Sequence, residues 1–175
     1  ERAPEVTSLR DGGYVIAYVT DFSGSNMVLT TFFDAQHQQL SQYTLVASYG
    51  TLNPGGVAIT QLANGNVLVV WENEGAVEPG LHAQILTSGG APVGAQIRLY
   101  GTASDQYVTP VVAALPADGG GGFVLTFEFM GNIWASRFDD AGGIIAPGYV
   151  QVNTGATDGF QTNPAVTVLS DGGWV

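Results

Sequence analysis

The sequence predicts an all-β fold of tandem four-stranded repeats, read as β-propeller blades. Three observations predict it. Leu9, Leu62, Leu115 and Leu169 lie 53, 53 and 54 residues apart, and each closes a segment that begins at Pro4, Pro54, Pro110 or Pro164. Each leucine is followed by a glycine-rich turn and then an apolar run, and no stretch carries a sustained apolar period of 3.6 residues. Four short strand patterns recur within each period of about 53 residues, the arithmetic of a propeller blade.

The elements follow in order. The first strand of each repeat reads as Pro4–Leu9, Val57–Leu62, Val111–Leu115 and Ala165–Leu169. The turns after it are Asp11-Gly12-Gly13, Asn64-Gly65, Gly119 to Gly122 and Asp171-Gly172-Gly173. Asp-Gly and Asn-Gly between apolar runs predict hairpins with a type I′ turn, because Gly, Asn and Asp tolerate positive φ. The second strand, Tyr14–Tyr18, Val67–Trp71 and Phe123–Phe127, is apolar on both faces and should be covered on both. The third (Val28–Phe33, Leu81–Leu86, Ile133–Phe138) and fourth (Tyr43–Ala47, Ala95–Tyr100, Tyr149–Asn153) are more mixed, as strands nearer a rim would be. The repeats therefore occupy residues 1–53, 54–109 and 110–163, with 164–175 beginning a truncated fourth. A β-sandwich or a string of small β-domains is the competing reading, and fifty residues is short for a sandwich. Propellers need four or more blades, so the chain is expected to be part of a longer array or to close by association with other copies.

Composition narrows the classes. Fifteen carboxylates against four arginines and no lysine give a net charge of −11, and the arginines are scattered, which disfavours nucleic acid and anionic membranes as partners. With 45% hydrophobic and 11% charged residues the chain should fold. No apolar run reaches the length of a spanning helix, and Glu1-Arg2-Ala3-Pro4 lacks a signal-peptide pattern. Absence of cysteine removes disulfides, thiolate metal sites and thiol nucleophiles.

The motifs Arg137-Phe138-Asp139-Asp140-Ala141-Gly142, Val152-Asn153-Thr154, Gly159-Phe160-Gln161, Asn163-Pro164 and Leu169-Ser170-Asp171-Gly172-Gly173-Trp174-Val175 occur in that order. In this the chain resembles the tandem repeats of roughly fifty residues found in large secreted bacterial proteins of the RTX and adhesin type, often beside calcium-binding nonapeptide tracts. The second repeat departs from the pattern, with Leu86-Thr87 where Phe-Asp would stand. The resemblance implies export and a place in an adhesin, surface layer or similar extracellular assembly. It brings no catalytic residues.

Candidate sites are read beside their structural alternatives. Asp139 and Asp140, with Asp34 at the matching position of the first repeat, are the candidate calcium ligands. They lack the alternating carboxylates of a dedicated calcium loop, and a turn-forming role competes. His37 and His82 occupy unlike repeat positions and make no zinc or iron set. Glu72 and Glu128 follow Trp71 and Phe127 at equivalent strand ends, with Glu74 and Glu78 beyond, so a glycan-processing propeller enzyme is an alternative. Recurrence in consecutive repeats argues for a structural role instead. No Gly-x-Ser-x-Gly elbow or P-loop lysine occurs. Trp71, Glu72 and Trp134 are the candidate ligand-binding residues, with the variable loops 21–26, 72–79 and 153–163 as further contacts. The expected function is a non-catalytic repeat module, without a certain cofactor, acting in adhesion, ligand binding or extracellular assembly. Its partners would be further repeats, other copies of itself, a glycan or a surface protein. The alternative is a structural subunit of a filament or layer, joined through edges at Pro4–Leu9 and Ala165–Val175.

Overall fold

A computed structural model of the chain describes residues 2–22, 25–40, 42–49, 54–73, 78–101, 109–155 and 158–175. It is all-β, built from three four-stranded antiparallel sheets, each a simple meander. The first sheet holds β1 (Arg2–Ser8), β2 (Tyr14–Phe22), β3 (Ser25–Phe33) and β4 (Thr44–Tyr49). The second holds β5 (Pro54–Gln61), β6 (Val67–Asn73), β7 (Gly80–Leu86) and β8 (Pro92–Gly101). The third holds β9 (Val111–Ala114), β10 (Phe123–Phe129), β11 (Asn132–Phe138) and β12 (Ile144–Gln151). A 3-10 turn at Ala117–Gly119 is the helical element among the described residues.

Each sheet has two faces because alternate side chains point to opposite sides. One face, here termed downstream, looks toward the next sheet in the chain; the upstream face looks toward the preceding one. Val15, Ala17 and Val19 of β2 pack in one apolar cluster with Val67, Val69 and Trp71 of β6. Leu68 and Val70, the intervening residues of β6, pack with Phe123, Leu125 and Phe127 of β10 in a second cluster. The second sheet is therefore covered on both faces, and all seven residues of β6 and all seven of β7 are buried. The double coverage predicted for the second strands holds in β6, whereas in β2 Tyr14, Ile16 and Tyr18 are only half-buried.

Of the third strands, β3 and β11 show the expected mixed exposure and β7 does not. β7 is as buried as β6 because its sheet lies between two others, and its polar residues carry their own partners. Gln84 Nε2 donates to Ile85 O at 2.9 Å, and His82 Nε2 lies 2.8 Å from Glu78 O. In this second sheet the fourth strand behaves as a rim, β8 being mostly exposed.

Neighbouring sheets stack with equivalent parts opposed. β5 lies against β1 and β2 on one side and against β9 on the other. Farther out, Gln96 Nε2 of β8 donates to Val46 O of β4 at 2.9 Å, and the Tyr149 hydroxyl of β12 donates to Leu99 O of β8. The β1–β2 turn meets the β5–β6 turn in the same way: Arg10 N donates to Gln61 Oε1 at 2.9 Å, and Arg10 Nη1 to Ala63 O. Residues 164–175 repeat the opening hairpin, with Val168 bridged to Trp174 and Leu169 N donating to Gly173 O at 2.8 Å. Trp174 reaches the downstream face of the third sheet, beside Ala135, Arg137 and Val150.

The hairpin turns depart from type I′. In the turns after Leu9, Leu62 and Leu169 the loop has three residues. The leucine N–H bonds the residue four on, and the third loop residue, Gly12, Gly65 or Gly172, sits at φ between 81° and 89°. This is a type I turn followed by a left-handed residue, so only the glycine needs positive φ. The Asp or Asn before it acts through its side chain: Asp11 Oδ1, Asn64 Oδ1 and Asp171 Oδ1 each accept the N–H two residues on at 2.9 Å.

Candidate functional site

Among the described residues, the upstream face of the first sheet stays open where the equivalent faces of the other two sheets are buried. Tyr14, Ile16 and Tyr18 of β2 occupy the positions of Val67, Val69, Trp71 and of Phe123, Leu125, Phe127. The latter six are buried and the first three only half-buried. Val6, paired with Ile16, is 61% exposed, whereas Ile59, paired with Val69, is 8% exposed. The Tyr14 and Phe33 rings stack at 4.8 Å and 9°, and Phe123 and Phe138 stack at 4.9 Å and 9° at the equivalent positions under the second sheet. The first sheet thus displays rings on a face that its successors hide, a face mostly aliphatic beside Trp71 and His82 in the second sheet and rich in aromatic rings in the third.

Over this face lies a groove of about 540 Å³, lined by Pro4, Ile16, Tyr18, Thr31, Phe33, Gln39 and Gln42. Its wall is formed by the described residues 34–40 and 42–43 of the connection between β3 and β4. The corresponding connections in the other sheets run only from Thr87 to Ala91 and from Asp139 to Gly143. The long connection is stitched down. Asp34 Oδ1 accepts Gln36 N at 2.9 Å and Gln38 N at 2.8 Å, Leu40 N donates to Phe32 O at 2.9 Å, and Gln39 Nε2 donates to Gln42 O at 2.7 Å. Local bonding of this kind holds Gln39 and Gln42 at the rim before anything binds.

The same loop marks this face as different from a stacking face. In the second and third sheets, the left-handed residue of this turn is Gly90 or Gly142. A Cβ there would fall 2.9 Å from Thr44 Oγ1 or 2.6 Å from Ile97 Cδ1 of the preceding sheet. The first sheet has His37 at that position, also left-handed at φ 63°, with its ring near Tyr14. Close sheet approach needs a glycine here, and the open face does without one.

The residues singled out from sequence fall elsewhere. Trp71 is fully buried between the first and second sheets, stacked on His82 at 6.1 Å, and Glu72 beside it is buried on the opposite face. Trp134 packs against the core between the second and third sheets and donates its indole N–H to Phe129 O at 3.3 Å. Glu128 accepts the N–H of Asn163, just before the proline that opens the next segment, which gives it a joining role between repeats. Asp139 Oδ1 accepts Ala141 N at 2.9 Å and Gly143 N at 2.7 Å, Asp140 Oδ1 accepts Gly122 N at 2.8 Å, and Asp34 caps its own turn in a different sheet. Among the described residues no three His, Asp or Glu side chains converge as a metal site would require. Glu74 and parts of the three variable loops, residues 23–24, 74–77 and 156–157, lie outside the described residues.

Sequence reasoning missed Tyr18, Phe33, Gln39 and Gln42. The signal was present: Tyr18 holds the repeat position of Trp71, and the first repeat carries extra residues between its third and fourth strands. It also missed the role of the Val-Asn-Thr and Gly-Phe-Gln motifs. Asn153 Oδ1 accepts Ile133 N at 3.0 Å, and Asn153 Nδ2 donates to Asn132 Oδ1 at 3.0 Å and to Gln161 Oε1 at 2.7 Å. These amides clamp the loop that leads into residues 164–175.

A smaller cavity of about 140 Å³ on the third sheet is walled by Ile145, Val150, Val152, Arg137 and Trp174 among others. No helix among the described residues is long and apolar enough to cross a membrane. No protein family, curated protein or solved structure matches the chain.

Proposed function

We propose that the chain is a non-catalytic binding module whose ligand site is the groove on the upstream face of the first sheet. It would serve as part of a secreted or cell-surface bacterial protein engaged in adhesion. The sheets act as rigid blades in a propeller-like array, with first strands inward and fourth strands at the rim. That reading is supported by the opposition of β5 to β1 and β9 and by the bonds from β8 to β4 and from β12 to β8. The observation that carries the binding role is the walled groove itself. A face buried in the other two sheets is open here and carries Tyr14, Tyr18 and Phe33, and the connection beside it is lengthened and bonded into a rim. Exposed apolar surface of this kind marks interaction sites.

The test is a fragment screen by amide and side-chain NMR on the intact chain. Shifts confined to Tyr18, Phe33, Gln39 and Gln42 support the module. If the same residues broaden with protein concentration and no fragment competes, the face joins copies of the chain and the structural-subunit alternative replaces this one.

A further inference from the structure

The geometry points to a neutral oligosaccharide as the groove's ligand, an inference that rests on the groove being the binding site. Three features select that chemistry. First, among the described residues, none of the seven that line the groove is charged, in a chain of net charge −11. A cationic partner finds no carboxylate among these described lining residues, and an anionic one is repelled by the surrounding field. Second, the lining combines ring faces with amides and a hydroxyl. Tyr18 and Phe33 offer flat apolar surface, and Thr31, Gln39 and Gln42 offer donors and acceptors at its margin. A pyranose has the matching two-sided character, with axial C–H groups that lie on an aromatic ring and equatorial hydroxyls that reach sideways to amides. A wholly apolar ligand would displace water from the exposed Gln42 amide and offer it no hydrogen bond in return, which is costly.

Third, the face is built against the competing occupant, another sheet of the same repeat. Stacked sheets in this chain meet across a five-residue turn whose glycine admits close approach, at Gly90 and Gly142. The first sheet replaces that turn with the ten-residue stretch 34–43 and puts His37 at the glycine position. A neighbouring sheet placed as the others are would meet the rim and the His37 side chain. A short, narrow chain of sugar rings lies between rim and strand instead, in a volume of about 540 Å³ that falls within the range of small-ligand sites.

Calorimetric titration of the chain with neutral gluco-, manno-, galacto-, xylo- and N-acetylglucosamine oligomers, beside sialylated and uronic-acid counterparts, tests this. A neutral oligomer is expected to bind, with the charged series weaker. Tyr18→Ala is expected to lower affinity about tenfold through loss of one ring face. Gln42→Ala, on an exposed loop where folding is not at stake, should lower it by up to about tenfold through loss of one hydrogen bond. Ile144→Ala, on the third sheet, should leave it unchanged. If no neutral oligomer binds at millimolar concentration, or only charged glycans or peptides do so in a Tyr18-dependent way, the sugar assignment is overturned while the groove stands. Binding that ignores both Tyr18→Ala and Gln42→Ala overturns the groove reading itself.

Discussion

Phe123 and Tyr14 form a matched pair for measuring what stacking one sheet on another contributes. Both begin the second strand of their sheet, and both stack at 9° on the last residue of the third strand, Phe138 or Phe33. Phe123 is fully buried beneath the second sheet, whereas Tyr14 faces the open side. Truncating Phe123 to Ala removes on the order of 150 Å² of buried apolar surface, about 4 kcal/mol at 25 cal/mol/Å². That figure is an upper estimate, and measured Phe→Ala losses in cores run from about 3 to 5 kcal/mol. Tyr14→Ala loses the ring pair, worth about 0.5–1.5 kcal/mol, and leaves no enclosed cavity because water fills the space. Urea unfolding of the two variants, at a concentration where the wild type is monomeric, should show a midpoint drop for Phe123→Ala several times that for Tyr14→Ala, with unchanged m. Losses equal to within about 0.5 kcal/mol would refute the reasoning, because burial between sheets would then contribute nothing beyond the ring pair.

Alkaline pH provides a second test. Burial, and then the neighbouring Tyr100, push the Tyr149 hydroxyl from 10.0 up to about 12. The fold favours the protonated form, so the associated stability is complete below about pH 10 and is lost as pH rises toward 12. The chain has no lysine to titrate in that window, and Tyr149→Phe should flatten the decline measured by urea midpoint against pH. Gly65→Ala, at φ 89° with open space around it, should cost about 1–2 kcal/mol. Gly122→Ala, whose Cβ would fall 1.9 Å from Phe138 O, should cost roughly 3 kcal/mol or more, and equal costs would argue against the close approach of that turn. Asp139→Ala should cost about 1–3 kcal/mol through loss of two backbone hydrogen bonds, and a calcium chelator should leave the wild-type melting temperature unchanged. A chelator-dependent melting temperature would restore the calcium reading of Asp34, Asp139 and Asp140.

Much of the architecture was legible because the signals are local. The strand-turn-strand pattern around Leu9, Leu62, Leu115 and Leu169 depends only on alternation and glycine placement, and the continuous apolar run Val67–Trp71 announced a strand covered on both faces. Fourth strands were harder. β12 begins at Ile144 rather than Tyr149, since Pro147 and Gly148 interrupt its pattern, which an edge strand tolerates. The open upstream face of the first sheet was least legible. Trp71 drew attention as a large aromatic, yet burial depends on which sheet has neighbours on both sides, a property of the stack and not of the segment. Tyr18, the same position in the first sheet, is half-buried beside the long connection that replaces the short glycine turn. The amide clamp of Asn132, Asn153 and Gln161 was hidden because its members come from separate strands and loops.

Native-state hydrogen exchange across the twelve strands tests most directly whether the sheets lie face upon face. Amides of β6 and β7, sheltered on either side, should exchange slowest of all, with those of β4, β8 and β12 fastest. Exchange in β6 and β7 as rapid as in the strands of the outer sheets would contradict the stack.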